Sequence, residues 1–153
     1  MKWVTRSGAR VDRVACPWLI LRFIDTKAEF AYVPADQVLA VAKETDALSF
    51  DTQGARYGHR DNKCTFEVLM EEYNLTGDSA LSRLALIVHG ADISGDIGIV
   101  PEAAGLWAFA EGLRLLEKDD HRKLDLATPL YDALYAYCQS GLTTTEEGMR
   151  SSG

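Results

Sequence analysis

Cys16 is the first side chain of this sequence whose type and position suit chemistry. It stands directly before Pro17, and proline is favoured at the first position of a helix, so we expect Cys16 at a helix N-terminus. The helix dipole and the nearby Arg13 would favour the thiolate, which is the reactive and metal-binding form of cysteine. Two interpretations stand: a reactive thiol, or a small buried hydrophobic residue, which is how free cysteines usually behave.

Four further residues predict a mixed metal site. His59 and Cys64 flank a polar loop, from which both side chains can reach one ion. Asp92 and Glu102 flank the loop between two predicted helices, and these four donors suit Fe, Mn or Zn. The structural alternatives are a histidine hydrogen-bonded within its loop, an aspartate that shapes a turn, and a glutamate that is favourable in the first turn of a helix.

The hydrophobic periodicity predicts an α+β fold in which a small front sheet packs against about four C-terminal helices. Strands are expected at residues 2–5, 28–33 and 48–51, and the last of these is expected to form a hairpin with residues 55–59. Helices are expected at residues 16–25, 36–42, 65–73, 78–90, 101–116 and 119–141, the last with a kink or restart at Pro129. Residues 1–141 are expected to form the domain and residues 142–153 a flexible tail.

Composition and charge exclude several classes of protein. The 153 residues are 47% hydrophobic and 25% charged, which is typical of one globular domain. The net charge of −7 disfavours nucleic-acid binding, which depends on neutralising phosphates. No apolar stretch approaches the length of a membrane span, and the N-terminal residues lack a signal-peptide pattern. Three cysteines do not suggest a disulfide framework, so we expect a cytoplasmic protein.

Longer segments resemble the chromate-resistance family, at the ChrB-type C-terminal domain. Similar segments extend over about residues 2–140 and comprise residues 2–6, 12–20, 22–25, 59–60, 64–66, 90–92, 102–106, 119–121 and 131–136. The resemblance implies a role in the bacterial response to chromate, encoded alongside a chromate efflux transporter. Members of the family include chromate-sensing regulators, and others are fused to, or stand beside, a rhodanese-like sulfurtransferase.

The resemblance, taken with the residues above, predicts a cleft between sheet and helices that binds chromate or a related oxyanion. Arg13 and Arg60 would bind the oxyanion, because guanidinium groups match its geometry, and Cys16 would supply a thiol. The metal would be held by His59, Cys64, Asp92 and Glu102. His89 stands where the family is expected to have an arginine, so it is not counted among the ligands.

Three functions are compatible with these residues. The first is a sensor or resistance module that acts through a rhodanese-like or DNA-binding partner protein. The second is a metal- or thiol-dependent redox enzyme. The third is an interaction domain whose polar residues form buried networks. The chain lacks the additional N-terminal region expected in the longer regulators, so DNA binding is not expected of this domain alone.

Overall fold

The computed structural model describes residues 1–151, with backbone only for residues 142–151. The elements in chain order are β1 (Lys2–Arg6), α1 (Asp12–Leu19), a π-helical turn (Ile20–Ile24), β2 (Glu29–Val33), a 3-10 turn (Ala35–Gln37), α2 (Val38–Thr45), β3 (Leu48–Ser49), α3 (Thr65–Glu72), α4 (Ser79–Asp92), α5 (Pro101–Leu116) and α6 (Asp120–Ser151). The predicted flexible tail over residues 142–153 lies outside the residues described with side chains and stays a prediction. Within the described part of the chain, no helix is both long and apolar enough to span a membrane.

The predicted α+β class, with a small front sheet and about four C-terminal helices, is confirmed. The sheet has the order β2-β1-β3 and both strand pairs are parallel. Parallel neighbours need crossover connections, and α1 and α2 provide them. The central strand β1 is buried at Trp3, Val4 and Thr5, and helices α3 to α6 complete the core.

The predicted hairpin after β3 is wrong. Strand β3 ends at Ser49, and beyond it Phe50 and Tyr57 form a single parallel bridge. The chain leaves extended geometry at Asp51, whose φ of 51° is left-handed, and a left-handed residue cannot continue a strand. Residues 51–63 are therefore a loop held by the Tyr57 backbone, which donates to Ser49 and accepts from Asp51.

Helix α1 begins at Asp12 rather than at Pro17, so proline lies inside it. Pro17 has no N–H to donate to the carbonyl of Arg13, one turn earlier. That carbonyl instead lies 3.4 Å from the hydroxyl of Tyr32, which donates to it. This long-range donor compensates for the hydrogen bond that the internal proline cannot make. The restart that was one expectation at Pro129 does not occur, because α6 continues through this residue, and the alternative of a kink stays a prediction.

The segment before α1 is anchored by Asp120, the first residue of α6. Its carboxylate accepts the N–H groups of Gly8 and Ala9 at 3.0 and 2.7 Å and pairs with the buried Lys123 ammonium at 3.2 Å. Lys123 also donates to the Ala9 carbonyl at 3.3 Å. This contact determines where α1, and with it Asp12, begins.

The anchor can be tested with two adjacent aspartates. Asp120→Ala would leave a buried ammonium and two N–H groups without their partner, so we expect the free energy of unfolding to fall by about 3–5 kcal/mol. Asp119→Ala removes an exposed carboxylate that accepts the N–H groups of His121 and Arg122, and such a cap is worth about 1 kcal/mol. Equal losses for the two variants in chemical denaturation would contradict the assigned anchor.

Candidate functional site

Three carboxylates surround the imidazole of His59. Its Nε2 atom lies 3.3 Å from Asp12 Oδ2, 3.3 Å from Asp51 Oδ1 and 3.1 Å from Asp92 Oδ2. The acids come from three separate places: the first residue of α1, the loop after β3 and the last residue of α4. The imidazole is 49% exposed whereas Asp12 is fully buried, so the cluster forms the floor of a cleft that opens on the His59 side.

Asp12 and Asp51 are held in place by Thr65, the first residue of α3. The Thr65 N–H donates to Asp12 Oδ2 at 2.7 Å, and its hydroxyl donates to Asp51 Oδ1 at 2.8 Å. Asp12 therefore lies at the N-termini of both α1 and α3, where helix dipoles stabilise negative charge. Arg13 donates to the other oxygen of Asp51 at 3.2 Å, so this carboxylate is fixed from two sides.

The acids raise the pKa of their neighbours. Burial is the largest cause for Asp12, and the charges of Asp92 and Asp51 add to it, so its pKa rises to about 8 despite the opposing effect of His59. Hydrogen bonds to Asp12, Asp51 and Asp92 raise the pKa of His59 to about 12. Asp12 and His59 therefore hold protons that a bound cation could replace, because three carboxylates surround a single imidazole.

The donor geometry suits a metal ion. Asp12, His59 and Asp92 each offer one ligand atom, and these atoms all lie within 4.8 Å of one another. Ligand atoms about 2.1 Å from an ion, at tetrahedral to octahedral angles, stand about 3.0–3.4 Å apart. The distances of 3.1 and 3.3 Å from His59 Nε2 to Asp92 and Asp12 match this spacing. Three protein ligands beside an open cleft leave coordination positions free.

Arginines line the same cleft. It has a volume of about 450 Å³, and its walls include Arg6, Arg10 and Arg13. Arg13 is engaged by Asp51 and by the Gly8 carbonyl, and Arg10 lies 3.8 Å from Glu111 at an exposed position. The Arg6 guanidinium forms no ion pair with any residue that the structure describes with its side chain. The Arg6 guanidinium therefore gives the cleft wall a positive charge that the carboxylates at the cleft floor do not pair with.

The structure separates the four residues predicted as one set of metal ligands. His59 and Asp92 meet in the cleft, but Cys64 lies with a different group of donors, Glu67 and His89. Glu102 accepts a hydrogen bond from the Tyr137 hydroxyl at 3.0 Å. These separations follow from the helices: Cys64 precedes α3 at its contact with α4, whereas Glu102, in the first turn of α5, is bound by Tyr137 of α6.

Cys16 does not lie at the helix N-terminus expected for it but inside α1, and its complete burial favours the second interpretation, a small buried hydrophobic residue. Burial and the charge of Asp12 raise the pKa of its thiol, which is 3.7 Å from Asp12 Oδ1. Of the two arginines predicted to bind an oxyanion, Arg13 lines the cleft. Arg60 lines neighbouring openings beside His59, but its guanidinium is already paired with Glu72 at 2.7 Å and with Glu71 at 3.1 Å.

Sequence analysis missed Asp12 and Asp51 as site residues. Asp51 is predicted as the last residue of a strand, whereas its left-handed φ of 51° turns the chain there. Asp12 was part of the segment that carried the family resemblance, directly before Arg13. The neighbouring pair Asp12 and Arg13 was the available signal in that segment. The burial of the Asp12 side chain, however, depends on where α1 begins.

Comparison with known proteins now defines the family. A family model described as "ChrB, C-terminal domain" matches residues 3–138. The chain belongs to the ChrB C-terminal domain family. It is 37% identical over 139 residues to Protein ChrB of Cupriavidus metallidurans, and the alignment covers 91% of this chain and 41% of that protein. No solved structure matches.

The predicted resemblance to the ChrB family is therefore confirmed, and the chain is a chromate-resistance-related protein. It spans about two fifths of the length of the ChrB protein that it matches.

The crowded acids predict an unusual pH dependence of the metal-free domain. Stabilisation from His59 is complete below its ordinary pKa of 6.5 and is lost as pH rises towards about 12. The raised pKa of Asp12 lowers stability as pH rises from 3.8 to about 8. We therefore expect the free energy of unfolding to fall between pH 6.5 and pH 8, as measured by denaturant titration in the presence of a chelator.

Asp92→Asn removes a charge that raises both pKa values, so the fall should become shallower. Asp36→Asn, in the exposed 3-10 turn before α2, is the matched control and should retain the slope of the parent chain. A parent chain whose stability rises over this interval would contradict the assigned electrostatics.

Proposed function

We propose that this ChrB-family domain binds a transition metal ion, of the class Fe, Mn or Zn, and presents it to chromate. Asp12, His59 and Asp92 would hold the ion, with Asp51 beside them. The observation that carries the proposal is one imidazole nitrogen within 3.3 Å of three carboxylates, in a cleft whose walls contain three arginines. Nitrogen and oxygen donors of this kind suit those metals.

Open coordination positions predict the order in which the two ligands bind. Chromate is a tetrahedral dianion, and the carboxylate oxygens at the base of an empty cleft accept hydrogen bonds but donate none to it. A bound divalent ion would replace the protons held there and would offer open coordination positions to the oxyanion. Guanidinium groups then match the remaining oxyanion oxygens, and Arg6 is the arginine whose charge is available in the described structure. Metal binding should therefore precede oxyanion binding.

The thiols favour binding over thiol-based reduction. Cys16 and Cys64 are both fully buried, and burial raises the pKa of each thiol, whereas reactive cysteines are accessible and low in pKa. We infer that the domain senses or handles chromate and transmits its state to a partner, either a rhodanese-like or a DNA-binding protein, in concert with chromate efflux. Free cysteines fit a cytoplasmic location.

A metal-dependent redox enzyme is the second candidate, because three protein ligands leave room at the ion for a substrate. This reaction would need an electron donor such as glutathione or NADH. Chromate consumption over many turnovers with such a donor would favour the enzyme, whereas stoichiometric binding without consumption would favour the sensor.

The metal site makes a direct prediction. Protein purified without tags or chelators should contain a stoichiometric transition metal by elemental analysis. His59→Ala removes one of three ligands and Asp92→Asn replaces a charged oxygen ligand with a neutral one, so we expect affinity to fall by about tenfold or more in each variant. Glu102→Gln is the control, since Glu102 contacts Tyr137 rather than the cleft, and it should retain the metal. Metal content that is unaffected by His59→Ala would contradict the site.

Oxyanion binding is tested by isothermal titration of chromate, with sulfate as the non-oxidising analogue. Binding should require the metal-loaded protein. Arg6→Gln removes one charge-assisted contact, worth about 1.5–3 kcal/mol, so affinity should fall by about tenfold or more. Arg60→Gln, whose guanidinium is already paired with two glutamates, should leave affinity unchanged. Equal binding to the metal-stripped protein would refute the proposed order.

A further inference from the structure

A second group of donor atoms lies where the first turn of α3 meets the last turn of α4. Cys64, Glu67 and His89 place one sulfur, one oxygen and one nitrogen atom within 4.8 Å of one another. Cys64 is fully buried and His89 is largely buried, whereas the Glu67 side chain is 21% exposed. The group is thus closed on the core side and open at Glu67.

Helix capping holds two of these donors together. Cys64 is the N-cap of α3 and Glu67 is its third helical residue, and the Cys64 N–H donates to Glu67 Oε1 at 3.0 Å. This contact is one half of a capping box, which orients the glutamate back over the helix end. The thiol and the carboxylate are therefore placed by α3 itself, before any ligand arrives.

The third donor is oriented from its far side. His89 Nδ1 contacts the Glu67 carboxylate, and His89 Nε2 lies 2.7 Å from Asp96 Oδ2. Histidine ligands in metal sites commonly use their second nitrogen to bind a carboxylate, which fixes the tautomer and the ring plane. Asp96 stands in that position, and its side chain is 47% exposed, so it lies at the edge of the group.

We propose that Cys64, Glu67 and His89 form a second metal site, for a zinc-class divalent ion, with Asp96 as the residue that positions His89. Sulfur, nitrogen and oxygen donors together suit zinc, and three protein ligands leave a fourth, solvent-facing position. Coordination would release the thiol proton to solvent, because the thiolate is the ligand form of cysteine. The ion would enter between Glu67 and Asp96, where the group is exposed.

This site differs from the His59 cleft and does not depend on the function proposed for it. The two share supporting elements, since Thr65 follows Cys64 and Asp92 lies one turn after His89 on α4. They differ in chemistry, because only the second group includes a sulfur donor among its three atoms. A thiolate ligand produces ligand-to-metal charge transfer with Co²⁺, so the two sites can be distinguished by spectroscopy.

The test is a titration of the full chain, reduced and stripped of metal, with Co²⁺ alone. We expect a near-ultraviolet thiolate-to-cobalt band that grows until the site is filled and is lost when Zn²⁺, the tighter-binding ion, is added. His59→Ala disables the cleft, and in this variant the band should be retained and should saturate at one ion per chain. Cys64→Ser should abolish it while preserving α3, because serine is a favoured N-cap.

Two further variants exclude other sources of the signal. Cys138→Ser removes a buried thiol on α6 and should leave the band unchanged. Asp96→Asn removes only the positioning carboxylate at a partly exposed residue, and we expect cobalt affinity at this site to fall about 10–100-fold while the band retains its shape. Absence of the band, or its survival in a folded Cys64→Ser protein, would overturn the proposal, and neither result bears on metal binding at His59.

Discussion

The carboxylate of Asp12 is buried where the N-termini of α1 and α3 meet, and the arrangement of the cleft depends on it. An isolated buried carboxylate is strongly unfavourable, so its position requires the Thr65 N–H, the two helix ends and the His59 imidazole. These partners bring together elements far apart in the chain. Asp51 and Asp92 reach the same imidazole, so acids from three separate parts of the chain share one partner.

Helices α3 and α4 support both candidate sites. Each site takes one or more groups from the N-terminus of α3 and from the C-terminus of α4. Their close packing extends to α5 at Gly90, where an added Cβ would lie 2.6 Å from the Ala103 side chain, so a larger residue there would push α5 away. A ligand at either site would therefore act on the same junction, and this shared support offers a physical route by which one site can affect the other.

Local pattern predicted those elements whose residues interact mainly with their sequence neighbours. The start of α5 at Pro101 and the cap of α4 at Asp78 follow this rule. Pro17 does not follow this rule and lies inside α1. The Tyr32 hydroxyl donates to the Arg13 carbonyl in place of the N–H that proline lacks. The hairpin failed for a related reason: residues after β3 turn at Asp51 and bond to Thr65 and Arg13 rather than to a second strand. Long-range partners overrode local preference in both cases.

The amino-acid sequence by itself determined the family and the fold class and indicated His59, Asp92 and Arg13 as candidate site residues, because composition, periodicity and residue type are properties of the chain alone. Only the tertiary structure decided which donors meet. It joined His59 to Asp12 and Asp51, and it assigned Cys64 to a different group, because convergence depends on the direction of each side chain at the end of its helix. A shift of the start of α1 by one turn would have moved Asp12 away from His59, whereas the group around Cys64 is set by α3 and α4.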